Sequence, residues 1–85
     1  EGKEQDASVL TYPNPASNTL NYSVSGMDKG FAVSLMSTTG QMVYIDQVEN
    51  NRSNGQVDVS NLTPGIYILV ISDDKDTVRK KIVVD

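Results

Sequence analysis

The chain has 85 residues, with 11 Asp and Glu against 7 Lys and Arg, a formal net charge of −4 and an isoelectric point near 4.5. It has no histidine and no cysteine, which excludes disulfides, zinc sites of the usual thiolate or imidazole kind, and the Ser–His and Cys–His dyads of nucleophilic catalysis. The acidic balance argues against nucleic-acid binding, which needs clustered cations, and no apolar run approaches the roughly 20 residues of a membrane helix.

Residues 1–7 are polar and carry no apolar pattern. Residues 1–8 are expected to be a linker, the chain reading as the tail of a larger protein. Residues 9–12 predict a short strand, closed by Pro13-Asn14-Pro15. Each proline fixes φ and lacks an N–H donor, so this segment leaves the sheet. Residues 19–25 alternate, with Leu20, Tyr22 and Val24 on one face and Asn21, Ser23 and Ser25 on the other. A turn over 26–30 leads to a strand over 31–37 that places Phe31, Val33 and Leu35 together. Gly40 closes a tight connection to a strand over 41–48. Residues 49–55 read as a polar loop and 56–59 as a short strand with Val57 and Val59 inward. Leu62 precedes a Thr63-Pro64-Gly65 turn. Residues 66–72 are apolar on both faces, which predicts a central strand covered on both sides. Asp73-Asp74-Lys75-Asp76 is a hairpin loop, and residues 77–84 close the chain with Val78, Ile82, Val83 and Val84.

About seven strands result, punctuated every 8–12 residues or so, with no helical window. This spacing predicts an all-β, immunoglobulin-like sandwich of mainly antiparallel strands, one domain over residues 9–85.

Candidate chemistry is sparse. A Ser–Lys pair is the nucleophilic arrangement still open, and nothing in the pattern places one, so the chain is expected not to be an enzyme and to take no cofactor. Asp73, Asp74 and Asp76 could offer oxygens to Ca²⁺, but the run lacks a distal Glu and carries Lys75 inside it. A turn built on Asp side chains is the better reading. Asn21, Asn51 and Asn61 open N-x-S/T triplets of the kind that arise by chance in a chain rich in Asn and Ser. Tyr12, Tyr22, Tyr44 and Tyr67 read as packing residues, with a sugar-stacking face as the alternative. The last strand carries Arg79, Lys80 and Lys81, a basic cluster in an acidic chain. It is either an ordinary edge protected by cations or a recognition tail.

Four segments favour the second view. Tyr12-Pro13-Asn14-Pro15-Ala16 followed by Leu20 resembles the entry motif of type IX secretion C-terminal sorting domains. Residues 33–43, with Val33, Leu35, Gly40, Gln41 and Val43, resemble their central strand pair. Residues 58–67, with Asp58, Ser60, Leu62, Gly65, Ile66 and Tyr67, resemble their turn and strand. Lys80-Lys81-Ile82-Val83-Val84 resembles their terminal strand. Together they cover residues 9–85 in the right order. Met36 and Ser37 depart from the pattern, standing where the family usually has an aromatic and an Asp or Asn.

The resemblance implies a sorting signal recognised by the type IX translocon. An outer-membrane shuttle protein and a sortase-like cysteine protease that cuts at the linker are the further partners. An upstream cargo in the same chain would reach the cell surface or medium through the periplasm and outer membrane of a Gram-negative bacterium. Lys80, Lys81, Ile82, Val83 and Val84 are the expected recognition element, through strand addition at an exposed edge. Pro13, Asn14, Pro15, Gly40, Gly65 and Tyr67 are expected to serve the fold. A monomer or a weak strand-mediated dimer is expected. An immunoglobulin-like adhesion or carbohydrate-binding module is the alternative function.

Overall fold

A computed structural model describes residues 8–27, 30–49 and 53–85. The expected linker up to residue 7, positions 28–29 of the expected turn and positions 50–52 of the expected loop lie outside the described residues. Seven strands form: β1 (Ser8–Tyr12), β2 (Thr19–Ser25), β3 (Phe31–Ser37), β4 (Met42–Val48), β5 (Asn54–Asp58), β6 (Gly65–Ser72) and β7 (Thr77–Val84). They make two sheets, one ordered β1-β2-β5 and the other β4-β3-β6-β7, and every strand pairing is antiparallel. The chain is thus an all-β sandwich of immunoglobulin-like type.

Period-two alternation accounts for the core. A strand turns successive side chains to opposite faces, so an alternating sequence buries one set and wets the other. Leu20, Tyr22 and Val24 of β2, Phe31, Val33 and Leu35 of β3, and Tyr67, Leu69 and Ile71 of β6 are all buried between the sheets. Val57 and Val59 join them from the β5 side, and Ile82 and Val84 from β7. Tyr22 meets Phe31 edge-on, with ring centroids 6.2 Å apart and planes at 78°, the geometry favoured by aromatic quadrupoles.

Three expectations need correction. β6 is an interior strand of its sheet, as its composition suggested, but it is not covered on both faces. Ile66 is 46% exposed, and Ile68 and Val70 are half-buried. The reason is architectural: a sandwich of two sheets has one layer on each side of its core, and nothing among the described residues lies over the outer face. β7 sets Lys81 directly opposite Ile68 and Arg79 opposite Val70, where their aliphatic stems can cover part of it. The second correction concerns β5, which starts at Asn54, inside the segment read as loop. Asn54 and Gly55 pair with Ser23 and Tyr22. β1 likewise opens at Ser8, one residue inside the expected linker.

The connections use side chains as well as backbone. In the β3–β4 hairpin Gly40 has φ +93°, a region that costs an L-residue, while a Cβ there would meet nothing within 4 Å. The need for glycine is therefore conformational and not a matter of crowding. Ser37, a departure from the family pattern, supplies the acceptor that an Asp or Asn would: its Oγ accepts the Gln41 N–H at 3.2 Å. In the β6–β7 loop Asp73 Oδ1 accepts the Asp76 N–H at 2.7 Å and the Lys75 N–H at 2.9 Å. That is the turn chemistry expected of this loop. Tyr67 anchors the β5–β6 connection: its buried ring sends the hydroxyl to the Thr63 carbonyl at 2.6 Å, four residues upstream. Gly65 starts β6 just before it.

Candidate functional site

The last strand is where composition and topology coincide. Among the described strands β7 pairs with β6 alone and forms one edge of the four-stranded sheet. Its side chains divide by face. Ile82 is 0% exposed and Val84 2%, both pointing into the core. Lys81 and Arg79 are exposed on the outer face, while Lys80 and Val83 are half-buried. The five residues expected to form a recognition element therefore have different environments. Ile82 and Val84 hold the sandwich together, and Lys80, Lys81 and Val83 reach its surface. Arg79 belongs with the surface group, although the family resemblance did not single it out. Its signal was present in the alternation, since it lies two residues from Lys81 on the same face.

The backbone along this edge is half occupied. Asn14 reaches across from the segment between the first two strands: its Oδ1 accepts the Val83 N–H at 3.0 Å, and its Nδ2 donates to the Lys81 carbonyl at 3.5 Å. Ala16, fully buried, makes an isolated parallel bridge to Val84. Its N–H donates to the Val83 carbonyl at 2.8 Å, and its carbonyl accepts the Asp85 N–H at 2.9 Å. A partner cannot add a strand along Val83–Asp85, because this short arm already does so.

The arm explains its own sequence. Pro13 and Pro15 have no N–H to lose, both follow cis peptide bonds, and they flank Asn14, the side chain that bonds β7. Asn14 carries both a donor and an acceptor on a short stem, and it uses both. Asn21 braces the arm's start by donating Nδ2 to the Tyr12 carbonyl at 3.2 Å. Reading the motif as a turn identified Asn14 without its partner, and gave Ala16 no role. The contacts span 67 and 69 residues of chain, and no local pattern encodes such a distance.

Arg79, Lys80 and Lys81 have no carboxylate partner among the described residues. The Asp73 carboxyl in the adjoining loop is held below the usual carboxylate range by the Asp76 and then the Lys75 backbone N–H. On the opposite sheet Ser60 holds Asp58 down in the same way, through its hydroxyl and then its amide. Both carboxylates serve turns.

A second feature lies on the β1-β2-β5 sheet. Tyr12, Asn21, Tyr22, Asn54, Gly55 and Gln56 line a cleft of about 340 Å³. Tyr12 is 49% exposed, and Gln56 Nε2 donates to Asn21 Oδ1 at 3.1 Å. Tyr22 and Tyr67 are buried, and partial burial, with the Asp46 charge beside it, raises the pKa of Tyr44. Of the four tyrosines, Tyr12 is the one exposed in the way a sugar-stacking ring would be.

The family model described as a secretion system C-terminal sorting domain matches residues 10–85. No curated protein matches the chain.

Proposed function

The chain belongs to the secretion system C-terminal sorting domains of type IX secretion, and from that premise we propose that it addresses an attached cargo for export across the outer membrane and catalyses nothing itself. The observation that supports this reading most directly is the match over residues 10–85, which spans every strand but the first two residues of β1. The folded sandwich is the signal. Its recognition residues are those of β7 that reach the surface, Lys80, Lys81 and Val83, with Arg79 beside them. The partners are the translocon and an outer-membrane shuttle protein. A sortase-like cysteine protease then cuts within residues 1–8, a polar segment of the kind proteases enter.

The test keeps the domain whole, because deleting residues 80–85 would remove Ile82 and Val84 from the core and confuse unfolding with lost recognition. A reporter with a signal peptide is fused ahead of the 85-residue chain in a bacterium that has the type IX machinery. The reporter reaches the surface or medium with the domain and stays in the periplasm without it. Equal export of both would sink the reading. Mass spectrometry of the exported reporter is expected to find a new C-terminus within residues 1–8, and an intact fusion would remove the cleavage step.

The exposed Tyr12 and the amides of Asn21, Asn54 and Gln56 favour one alternative, a carbohydrate-binding module. Binding on a glycan array that disappears in Tyr12→Ala would support it, and a blank array would dispose of it.

A further inference from the structure

We propose that the stretch of the β7 edge over residues 77–81 accepts one short, extended, acidic segment of the export machinery as an added strand. This rests on the sorting reading and deepens it by naming the chemistry of the partner.

The ladder fixes which backbone groups face outward. In an antiparallel pair, residues alternate between bonding their neighbour strand and pointing away from it. Val83 bonds Asn14 and Ala16 through its N–H and carbonyl, so it points away from β6. Two and four residues back, Lys81 and Arg79 do the same. The Lys81 carbonyl is taken by Asn14. The Lys81 N–H and both backbone groups of Arg79 have no partner among the described residues. The arm thus sets a stop: an incoming strand fits from Thr77 to Lys81, about 17 Å of extended chain, and meets Asn14 beyond that.

Charge selects the occupant. Arg79, Lys80 and Lys81 line this open stretch without an ion-pair partner among the described residues, in a chain of net charge −4. Two copies pairing β7 to β7 would bring these cations against each other, and like charges directly opposite destabilise a strand pair. Edge lysines are a known defence against self-association, and the same charges attract a strand of opposite sign. On the outer face the partner needs carboxylates at alternate positions, opposite Arg79 and Lys81. On the inner side it meets Val78 and Lys80. A five-residue segment with Asp or Glu at alternate positions and β-branched residues between them satisfies both.

Two measurements test this. The isotope-labelled 85-residue chain is titrated with the blocked peptide Asp-Val-Asp-Val-Asp. Amide shifts are expected to concentrate at Arg79 and Lys81 and to weaken several-fold between 20 and 300 mM salt, as screening requires. The Lys-Val-Lys-Val-Lys peptide should give none. No shift at these two amides, or equal shifts with both peptides, overturns the proposal. In the export assay, Arg79→Pro deletes an outward N–H and leaves the β6 ladder whole, a position where edge strands tolerate proline. Export is expected to fall at least tenfold with the melting temperature nearly unchanged. Should this variant fold poorly, the Arg79→Glu, Lys81→Glu double variant replaces it with the same expected loss. Normal export by a folded variant overturns the edge proposal and leaves the sorting reading standing, whereas failure of the unaltered chain to export its reporter overturns the sorting reading itself.

Discussion

Gly55→Ala is the most informative single substitution for the fold. Gly55 lies in β5 directly opposite Tyr22 of β2. A Cβ built there would lie 2.6 Å from Tyr22 Cζ and 3.2 Å from Cε1, closer than carbon atoms pack. Two effects oppose each other. Alanine restricts the unfolded chain and suits a strand better than glycine, a gain of about 0.5–1 kcal/mol. Pushing the Tyr22 ring aside disturbs a buried side chain and its edge-on contact with Phe31, and overpacking of this kind costs about 1–3 kcal/mol. The steric term wins, for a net loss of about 1–2 kcal/mol out of roughly 4–13 for a domain of this size. Thermal unfolding followed by circular dichroism should show a drop on the order of 4–15 °C. The same substitution in a Tyr22→Leu background should be neutral or stabilising, giving a coupling energy of about 1 kcal/mol or more in the double-mutant cycle. A Gly55→Ala variant as stable as the parent, or an equal cost in both backgrounds, would show that the Tyr22–Gly55 contact does not constrain the fold.

Three further outcomes are expected. Tyr67→Phe removes the hydroxyl bond to the Thr63 carbonyl and should cost about 1 kcal/mol, read from urea midpoints at unchanged slope. Asn14→Ala releases the Val83 N–H, so hydrogen exchange at Val83 should accelerate more than at Leu69, with a stability loss of about 1–2 kcal/mol; unchanged exchange at Val83 would mean that the arm does not protect the edge. The carboxyls of Asp58 and Asp73 are lowered by the fold, so their contribution is fully present above the ordinary carboxylate pKa and is lost as pH falls through the depressed folded value. Melting temperature should therefore decline below about pH 4, and the Asp58→Asn, Asp73→Asn double variant should decline less over the same interval.

Alternation in the sequence by itself determined the seven strands to within a few residues and the inward set of Leu20, Tyr22, Val24, Phe31, Val33, Leu35, Val57 and Val59, because the side-chain period of a strand is a local property and one covered face imposes it. It determined the family too, since the motifs are strings of neighbouring residues. Chain chemistry also marked the last strand as unusual through Arg79, Lys80 and Lys81. Tertiary structure decided the rest. An apolar run over residues 66–72 cannot tell whether one face or two will be covered, and here the outer face of β6 stays open because the sandwich has only two layers. Gly55 looked like loop because its reason for being glycine is a ring on another strand. Above all, alternation in the terminal strand groups Arg79 with Lys81 and Ile82 with Val84 but could not say which pair the core takes and which a partner can reach, nor show that Asn14 and Ala16 close half of its edge. Those assignments depend on contacts across almost the whole chain, and only the folded sandwich brings the two ends together.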